Sequence, residues 1–295
     1  MKKALLLVNP RSGKQTIRLH LLDVMDILSR KYDLSVHITR SSEDIIETAA
    51  GTDFQTVIVC GGDGTLSNTV NGILQNPRSS EICLGYIPCG TANDVAATLG
   101  IPRKFSAAAA YVCRNLPHSH DAGKFMDKSF IYTASFGMFT QTSYRTSQNM
   151  KNALGNFAYL LNGASELLSL KDYDIRIEYD GGELDVRSAV FCGISNTIYM
   201  GGGLICLPSD YALLDDGNLE LLVIKKPRNI FELENLVRYL VEKQYNNEYM
   251  TLLQSGSFRV HCQQPINWTL DGEAGGEHSD VTVSCLSHAV NLIKR

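Results

Sequence analysis

The chain has 295 residues, 44% of them apolar and 20% charged, which supplies a buried core for two domains and argues against disorder. Lysine and arginine number 27 against 31 aspartates and glutamates, a net charge of −4, so bulk attraction to nucleic acid is not the organising principle. No apolar run approaches the ~20 residues that a membrane-spanning helix needs. Ala4–Val8 stops at Asn9-Pro10, too short for a signal sequence, and reads as a buried first strand. Ile17, Leu21, Val24, Met25 and Leu28 then recur at helical spacing. Leu34–Ile38 reads as the next strand and Glu43–Ala50 as a helix. Thr56–Cys60 is a continuous apolar strand running into Gly61-Gly62-Asp63-Gly64-Thr65, with Leu66–Leu74 helical after it. Cys83–Ile87 is a fourth strand, followed by Pro88-Cys89-Gly90-Thr91-Ala92-Asn93-Asp94 and another helix start. Apolar strands alternating with helices predict a parallel sheet covered on both faces. Three loops, Asn9–Gly13, Gly61–Thr65 and Gly90–Asp94, leave strands at the carboxyl edge, where such sheets bind ligands.

After about Asp121 the texture changes. Short β-rich runs follow at Phe130–Ser135, Ile175–Tyr179, Val186–Ser195, Leu219–Ile224, Phe258–Cys262, Val281–Cys285 and Ala289–Ile293, separated by turn signals such as Asp180-Gly181-Gly182 and Asp215-Asp216-Gly217-Asn218. They predict an antiparallel sandwich or barrel. Two helices interrupt it, one near Leu154–Leu170 and one with Leu233, Leu236, Val237, Leu240 and Val241 on one face. The eight cysteines form no C-x-x-C pair and read as small apolar core residues in a reducing cytoplasm. His118-Ser119-His120 lacks a third ligand at useful spacing and reads as a surface strand or turn.

Gly61-Gly62-Asp63-Gly64-Thr65 carries the most chemistry. Its glycines permit positive φ and close backbone approach, its N–H groups can cradle an anion, and the following helix adds its positive end. Neither the P-loop nor the G-x-G-x-x-G spacing fits. An aspartate stands where phosphate would sit, and two like charges 4 Å apart cost about 4 kcal/mol at an effective dielectric of 20. That clash requires a cation, so Mg²⁺ is inferred between Asp63 and phosphate oxygens. Asn9-Pro10-Arg11-Ser12-Gly13-Lys14 offers polar side chains at the same edge. Gly90–Asp94 offers a hydroxyl, N–H groups and a second carboxylate, although Asp94 also suits a plain helix start. Leu270-Asp271-Gly272-Glu273 is by itself a hairpin signal.

Together these runs resemble the diacylglycerol kinase family, which also contains sphingosine and ceramide kinases, and are most similar to its soluble bacterial members. The likeness covers nearly the whole chain and adds Asp121-Ala122-Gly123-Lys124, Ser195-Asn196-Thr197 and Leu213–Asn218 to the loops above. It implies an α/β protein with a Rossmann-like parallel-sheet nucleotide domain, residues 1–121, followed by an antiparallel β-sandwich lipid-substrate domain, residues 122–295, whose last residues can return to the first domain. The active site would lie between the two. The implied reaction is Mg²⁺- and ATP-dependent transfer of the γ-phosphoryl to a lipid hydroxyl, yielding phosphatidate from diacylglycerol. By the same likeness Glu273 is the general base, Asp63 and Asp94 belong to the Mg²⁺–ATP network, and Asp121 supports it. Asn9, Ser12, Thr39, Gly62, Gly64, Thr65 and Thr91 would line the nucleotide site. A separate structural Mg²⁺ would take the Asp216 carboxylate and the carbonyls of Leu213 and Asn218, where the residues alone also allow a simple β-turn.

The chain departs from the family where Ser67-Asn68 replaces a usual Asn-Glu, and where Val95, Ala96 and Ala97 replace an aromatic residue and an arginine. Lys14 or Arg18 are the basic residues available to replace the arginine. The implied setting is the cytoplasm, peripherally at a membrane surface, without nucleic acid or a transmembrane segment, and the resemblance suggests a homodimer. Lys14, Lys151 and Lys171 are candidates for contact with anionic lipid, and Lys151–Leu170 either touches lipid or caps the sandwich. The rivals are an NAD kinase-like phosphotransferase and a catalytically silent lipid- or nucleotide-binding regulator.

Overall fold

The computed structural model describes residues 1–138 and 170–295, which separate into two compact units. The helix expected near Leu154–Leu170 and the lysine at 151 fall, Leu170 apart, outside the described residues. The first unit comprises Met1–Ala122, Ser129–Tyr132 and Leu286–Arg295; the second comprises Gly123–Lys128 and Thr133–Cys285.

In the first unit β1 (Lys2–Val8), β2 (Tyr32–Ile38), β3 (Thr56–Gly61) and β4 (Cys83–Pro88) pair in parallel in the order β2-β1-β3-β4. Ala4, Leu6 and Leu7 of β1 and Val57–Cys60 of β3 are wholly buried, because helices cover both faces of such a sheet. The helices are α1 (Ile17–Ser29), α2 (Ser42–Ala50), α3 (Asp63–Gln75), α4 (Asp94–Thr98) and α5 (Phe105–Arg114), with a 3₁₀ turn at Ser79–Glu81. Ser41 starts α2 by accepting the Asp44 N–H at 3.2 Å, with Glu43 and Asp44 in the first turn, where the helix dipole favours acid. β5 (Leu116–Phe125) and β6 (Lys128–Phe130) follow. The sheet gains its fifth strand from far along the chain. Asn291 and Leu292 of β15 (Glu273–Lys294) pair in parallel with Cys83 and Leu84.

The second unit is antiparallel. It contains β7 (Thr133–Gly137), β8 (Tyr173–Tyr179), β9 (Gly182–Ser195), β12 (Leu219–Lys225), β13 (Met250–Ser255), β14 (Ser257–Leu270) and most of β15. A two-stranded hairpin of β10 (Tyr199–Met200) and β11 (Ile205–Cys206) and helix α6 (Ile230–Val241) also belong to it. Two long strands serve two partners each. β9 pairs with β8 up to Ala189 and with β7 from Phe191 onward, next to Ser188, whose φ is +56°. β14 likewise pairs with β8 through Phe258–Cys262 and with β7 through Thr269–Leu270. The four strands therefore close a ring. Inside it the Phe136 ring meets Trp268 edge-on at 4.9 Å, and Phe125 meets Trp268 at 5.1 Å.

Several expectations change. The strand expected at Phe130–Ser135 is broken at Ile131–Tyr132 into β6 and β7, and Val281–Cys285 and Ala289–Ile293 are parts of one 22-residue strand. α3 begins at Asp63, not near Leu66, which places the aspartate in the helix's first turn. All eight cysteines are free, with Cys60, Cys89, Cys192 and Cys262 buried. Among the described residues no helix is long and apolar enough to cross a membrane. His118 lies exposed in β5, but His120 is buried in it, so the surface reading fails for His120. Burial, aided by the charge of Lys294, holds the His120 imidazole down at about 3. An unfolded histidine takes a proton below about 6.5, and this one cannot, so folding stability falls as pH drops from 6.5 toward 3. His120→Asn should remove about 3 kcal/mol of the loss between pH 6.5 and 4, read from urea melts at each pH.

Candidate active site

In the first unit the three loops expected at the carboxyl edge pack backbone against backbone. A Cβ on Gly13, whose φ is +53°, would stand 2.3 Å from the Cys89 carbonyl oxygen. One on Gly62 would lie 3.1 Å from the Gly90 Cα, and one on Gly61 would fall 2.3 Å from the Thr65 Cβ. Gly61, Gly62 and Gly64 do not use the positive φ that the sequence allows them; Gly61 and Gly62 are needed for close approach.

Side chains tie this cradle together. Asn9 Nδ2 donates to Thr65 Oγ1 at 2.9 Å, and its Oδ1 accepts the Arg11 N–H at 3.0 Å. Ser12 Oγ lies 3.3 Å from Thr65 Oγ1 and accepts the Gly62 N–H at 3.3 Å. Thr39, just past β2, donates its hydroxyl to the Val8 carbonyl at 3.3 Å. Asn93 takes a left-handed φ of +56° and closes the third loop on Gly90, accepting its N–H and donating to its carbonyl, both at 2.8 Å. Thr91 stays exposed in the third loop.

The two carboxylates stand side by side. Asp63 Oδ2 accepts the Asp94 N–H at 3.2 Å and its Oδ1 accepts the Tyr86 hydroxyl at 3.3 Å. Asp94 is buried and its Oδ2 accepts the Tyr132 hydroxyl at 2.7 Å. Burial, then the neighbouring Asp94 carboxylate, push Asp63 up to about 6, against the pull of the Asp94 and Val95 N–H groups and the Tyr86 hydroxyl. A pair of acidic groups this crowded fits a divalent cation, which relieves both the repulsion and the desolvation. Asp63 and the Gly64 and Thr65 backbone open α3, so the helix's positive end faces the same cradle. The basic residues near these loops include Arg18, whose Nε donates to the Pro10 carbonyl at 3.2 Å, and Arg103, whose guanidinium reaches the Ala92 carbonyl at 3.2 Å. Tyr86, Tyr132 and Arg103 carry no motif and escape a reading by spacing, whereas Asn93 stands in the Gly90–Asp94 loop without a role assigned to it by the sequence.

Asp121 is fully buried in β5, and its Oδ1 accepts the His288 N–H at 2.6 Å, holding a residue of β15 at φ +52°.

The second unit holds Glu273. Asp271 at φ +50° and Gly272 at φ +85° form the two-residue hairpin turn between β14 and β15, with Leu270 paired to Glu273. The turn is pinned to β7, because Asp271 Oδ1 accepts the Thr133 N–H at 2.9 Å and the Asp271 N–H donates to the Thr133 carbonyl at 2.8 Å. Glu273 itself is exposed. The hairpin signal is thus real, and among the described residues the exposed Glu273 carboxylate has no hydrogen-bond or ion-pair partner.

In the run at 213–218, Asp216 Oδ1 accepts the Asn218 N–H at 3.0 Å and Oδ2 accepts Gln254 Nε2 at 3.0 Å. The same amide nitrogen lies 3.0 Å from the Tyr211 carbonyl and 3.3 Å from Glu220 Oε1. An amide carries two protons, so three oxygens converge on a donor that can serve two.

Two family models match the chain: "Diacylglycerol kinase catalytic domain" over residues 3–125, and "YegS C-terminal NAD kinase beta sandwich-like domain" over residues 133–294. A protein named diacylglycerol kinase from Bacillus subtilis (strain 168) is 32% identical over 283 residues, 94% of this chain and 91% of its own. A second of that name, from Staphylococcus aureus (strain bovine RF122 / ET3-1), is 31% identical over 282 residues, 94% of this chain and 87% of its own. The crystal structure of a protein described as a diacylglycerol kinase from Bacillus anthracis str. Sterne matches in fold, with a TM-score of 0.77 at 21% identity over 100% of this chain and 97% of that one.

Proposed function

This chain belongs to the diacylglycerol kinase family, and on that footing we propose that it transfers the γ-phosphoryl group of ATP, with Mg²⁺, to a lipid hydroxyl, converting diacylglycerol to phosphatidate. The observation that carries the reading is the Asp63–Asp94 pair at the mouth of a backbone cradle in a Rossmann-like parallel domain. Asp63 and Asp94 would hold the Mg²⁺, which when bound offsets phosphate charge. Gly62, Gly64 and Thr65 offer backbone and helix-end polarity to the phosphates. Asn9, Ser12, Thr39 and Asn93 keep the loops at the spacing the nucleotide requires, with Thr91 at the rim. Tyr86 and Tyr132 orient the two carboxylates, and Asp121 braces the strand behind them. Glu273 orients the acceptor hydroxyl and takes its proton late, since a carboxylate is far too weak a base to ionise an alcohol beforehand. A loose phosphoryl-transfer transition state asks for positioning more than for a strong nucleophile. The lipid would be met at a membrane surface, with Lys14 and Lys171 available to anionic headgroups.

The test is a substrate panel: purified chain, radiolabelled ATP and Mg²⁺, with diacylglycerol, a sphingoid base or NAD as acceptor. Label extracted into the organic phase with diacylglycerol is the expected result. Label on NAD would move the acceptor to a small soluble alcohol, and ATP binding without transfer to any acceptor would favour a silent regulator.

The surplus of oxygens around Gln254 supports a second, structural Mg²⁺ at Asp216, with the Leu213 and Asn218 carbonyls as further ligands and the Gln254 amide displaced. Millimolar Mg²⁺ should raise the melting temperature of the Asp63→Asn chain by several degrees and leave an Asp63→Asn/Asp216→Asn chain unmoved.

A further inference from the structure

Arg103 reaches a carbonyl where other arginines of the first unit reach an acid. Arg30 and Arg78 meet Asp26 and Glu81, each at 2.8 Å. Arg103 instead donates from Nη2 to the Ala92 carbonyl at 3.2 Å, 11 residues back along the chain. It is exposed, and among the described residues its other N–H groups have no hydrogen-bond or ion-pair partner. A guanidinium holds several donors in one rigid plane, and a single carbonyl occupies only one of them.

The local sequence sets where this fork stands. α4 stops at Gly100-Ile101-Pro102. Gly100 takes a φ of +65° and donates its N–H to the Ala97 carbonyl at 3.2 Å, while the Ile101 N–H reaches the Ala96 carbonyl at 2.8 Å. These are the paired bonds of a Schellman stop, and Ile101 and Ala96 are both buried as its apolar contact requires. Pro102 cannot continue the helix. From α5 the Tyr111 hydroxyl donates to the Leu99 carbonyl at 3.0 Å and pins the same turn. α4 has five residues, about 7.5 Å of rise, so the reversed chain returns the Arg103 guanidinium to the loop from which the helix began.

That loop is closed at its base, because Asn93 bonds Gly90 twice, and Thr91 and Ala92 form its tip. Thr91 is exposed, and among the described residues its hydroxyl has no partner. A guanidinium and a hydroxyl on one loop tip, just before Asp94, are a donor set for phosphate oxygens. The planar fork engages two such oxygens together, which an ammonium cannot do. A triphosphate and the Asp63–Asp94 pair together carry more negative charge than one divalent cation offsets, so a fixed positive group is needed at the same place.

We propose that Arg103 is a nucleotide-binding residue of this chain: held on the third loop by the Ala92 carbonyl, its guanidinium clamps a phosphate of Mg²⁺–ATP, with the Thr91 hydroxyl beside it. The proposal rests on the kinase reading of the site and supplies a cation for the phosphates.

Calorimetric titration of the full chain with Mg²⁺–ATP tests it through three variants. Arg103→Gln keeps a donor for the Ala92 carbonyl and loses the charge. Arg103→Lys keeps the charge and loses the fork. Arg103→Ala loses both. The glutamine and alanine variants should bind Mg²⁺–ATP about tenfold more weakly or worse, and to the same degree, with the lysine variant between them and wild type. Melting temperatures should not move, because the position is exposed. In turnover the apparent KM for ATP should rise and that for diacylglycerol should not. A glutamine variant that binds like wild type while the alanine variant weakens would make Arg103 a brace for the loop and overturn the proposal. So would a lysine variant no tighter than glutamine. A wild-type chain that binds no Mg²⁺–ATP overturns the kinase reading, and this proposal with it.

Discussion

Glu273→Ala, purified and folded, is expected to lose kinase turnover by about a thousandfold or more, within the range that general acid–base groups supply. The residue sits where β15 begins, on a two-residue turn whose Asp271 is held by two hydrogen bonds to Thr133. The backbone is therefore set before substrate arrives, and among the described residues the exposed side chain has no hydrogen-bond or ion-pair partner for its removal to disturb. Melting temperature should stay within a degree or so of wild type. Glu273→Gln separates the two parts of the role, since it can still orient a hydroxyl but cannot accept its proton. It should be nearly as inactive as the alanine variant, with the apparent KM for lipid less affected than kcat. Substantial turnover in either variant would remove Glu273 from the reaction.

Asp63→Asn should be inactive and yet more stable than wild type at pH 7.5 in the absence of Mg²⁺. Asp63 titrates at about 6 in the folded chain, against an ordinary 3.8. Its folded value is the higher one, so its contribution to stability is full below 3.8 and is lost as pH rises through 6. Above pH 6 the fold carries a charge that burial and Asp94 both oppose. The shift corresponds to about 3 kcal/mol at most, and less once the side chain's partial exposure is allowed for. Asparagine keeps the shape and removes the charge. Thermal melts of the two chains should coincide near pH 4, diverge between pH 4 and 6, and differ by several degrees above it. Mg²⁺ should narrow the gap by stabilising wild type selectively at this pair. A variant that is less stable at pH 7.5 would show that the carboxylate is not under the strain described.

The first half of the fold is legible because its strands are unbroken apolar runs: Ala4–Val8, Thr56–Cys60 and Cys83–Ile87 each lie inside an observed strand. α5 is not legible, since Ala107–Ala110 offers no contrast between faces for a helical period to show. β15 reads as two strands because Leu286, Ser287 and His288 fall between two β-rich runs; the chain runs on through them, with Asp121, far away in sequence, accepting the His288 N–H. The candidate site divides the same way. Gly61–Thr65 and Gly90–Asp94 announce themselves as loops, and Gly62 and Gly90 are indeed required, although for close packing of one loop on another and not for the positive φ that their type suggests. Tyr86 and Tyr132 are invisible in the sequence, because a single tyrosine carries no pattern and only strand register and the break at Ile131–Tyr132 bring its hydroxyl to an aspartate.

The fifth strand of the first sheet has a consequence for biosynthesis. β4 finds its second neighbour in Asn291 and Leu292. During translation at 5–20 residues per second, that flank of β4 waits roughly 10–40 s while roughly 200 further residues are made. Over that interval a nascent chain exposes an apolar parallel edge at the ribosome, a natural target for chaperones. The half that is synthesised first is the half that is completed last.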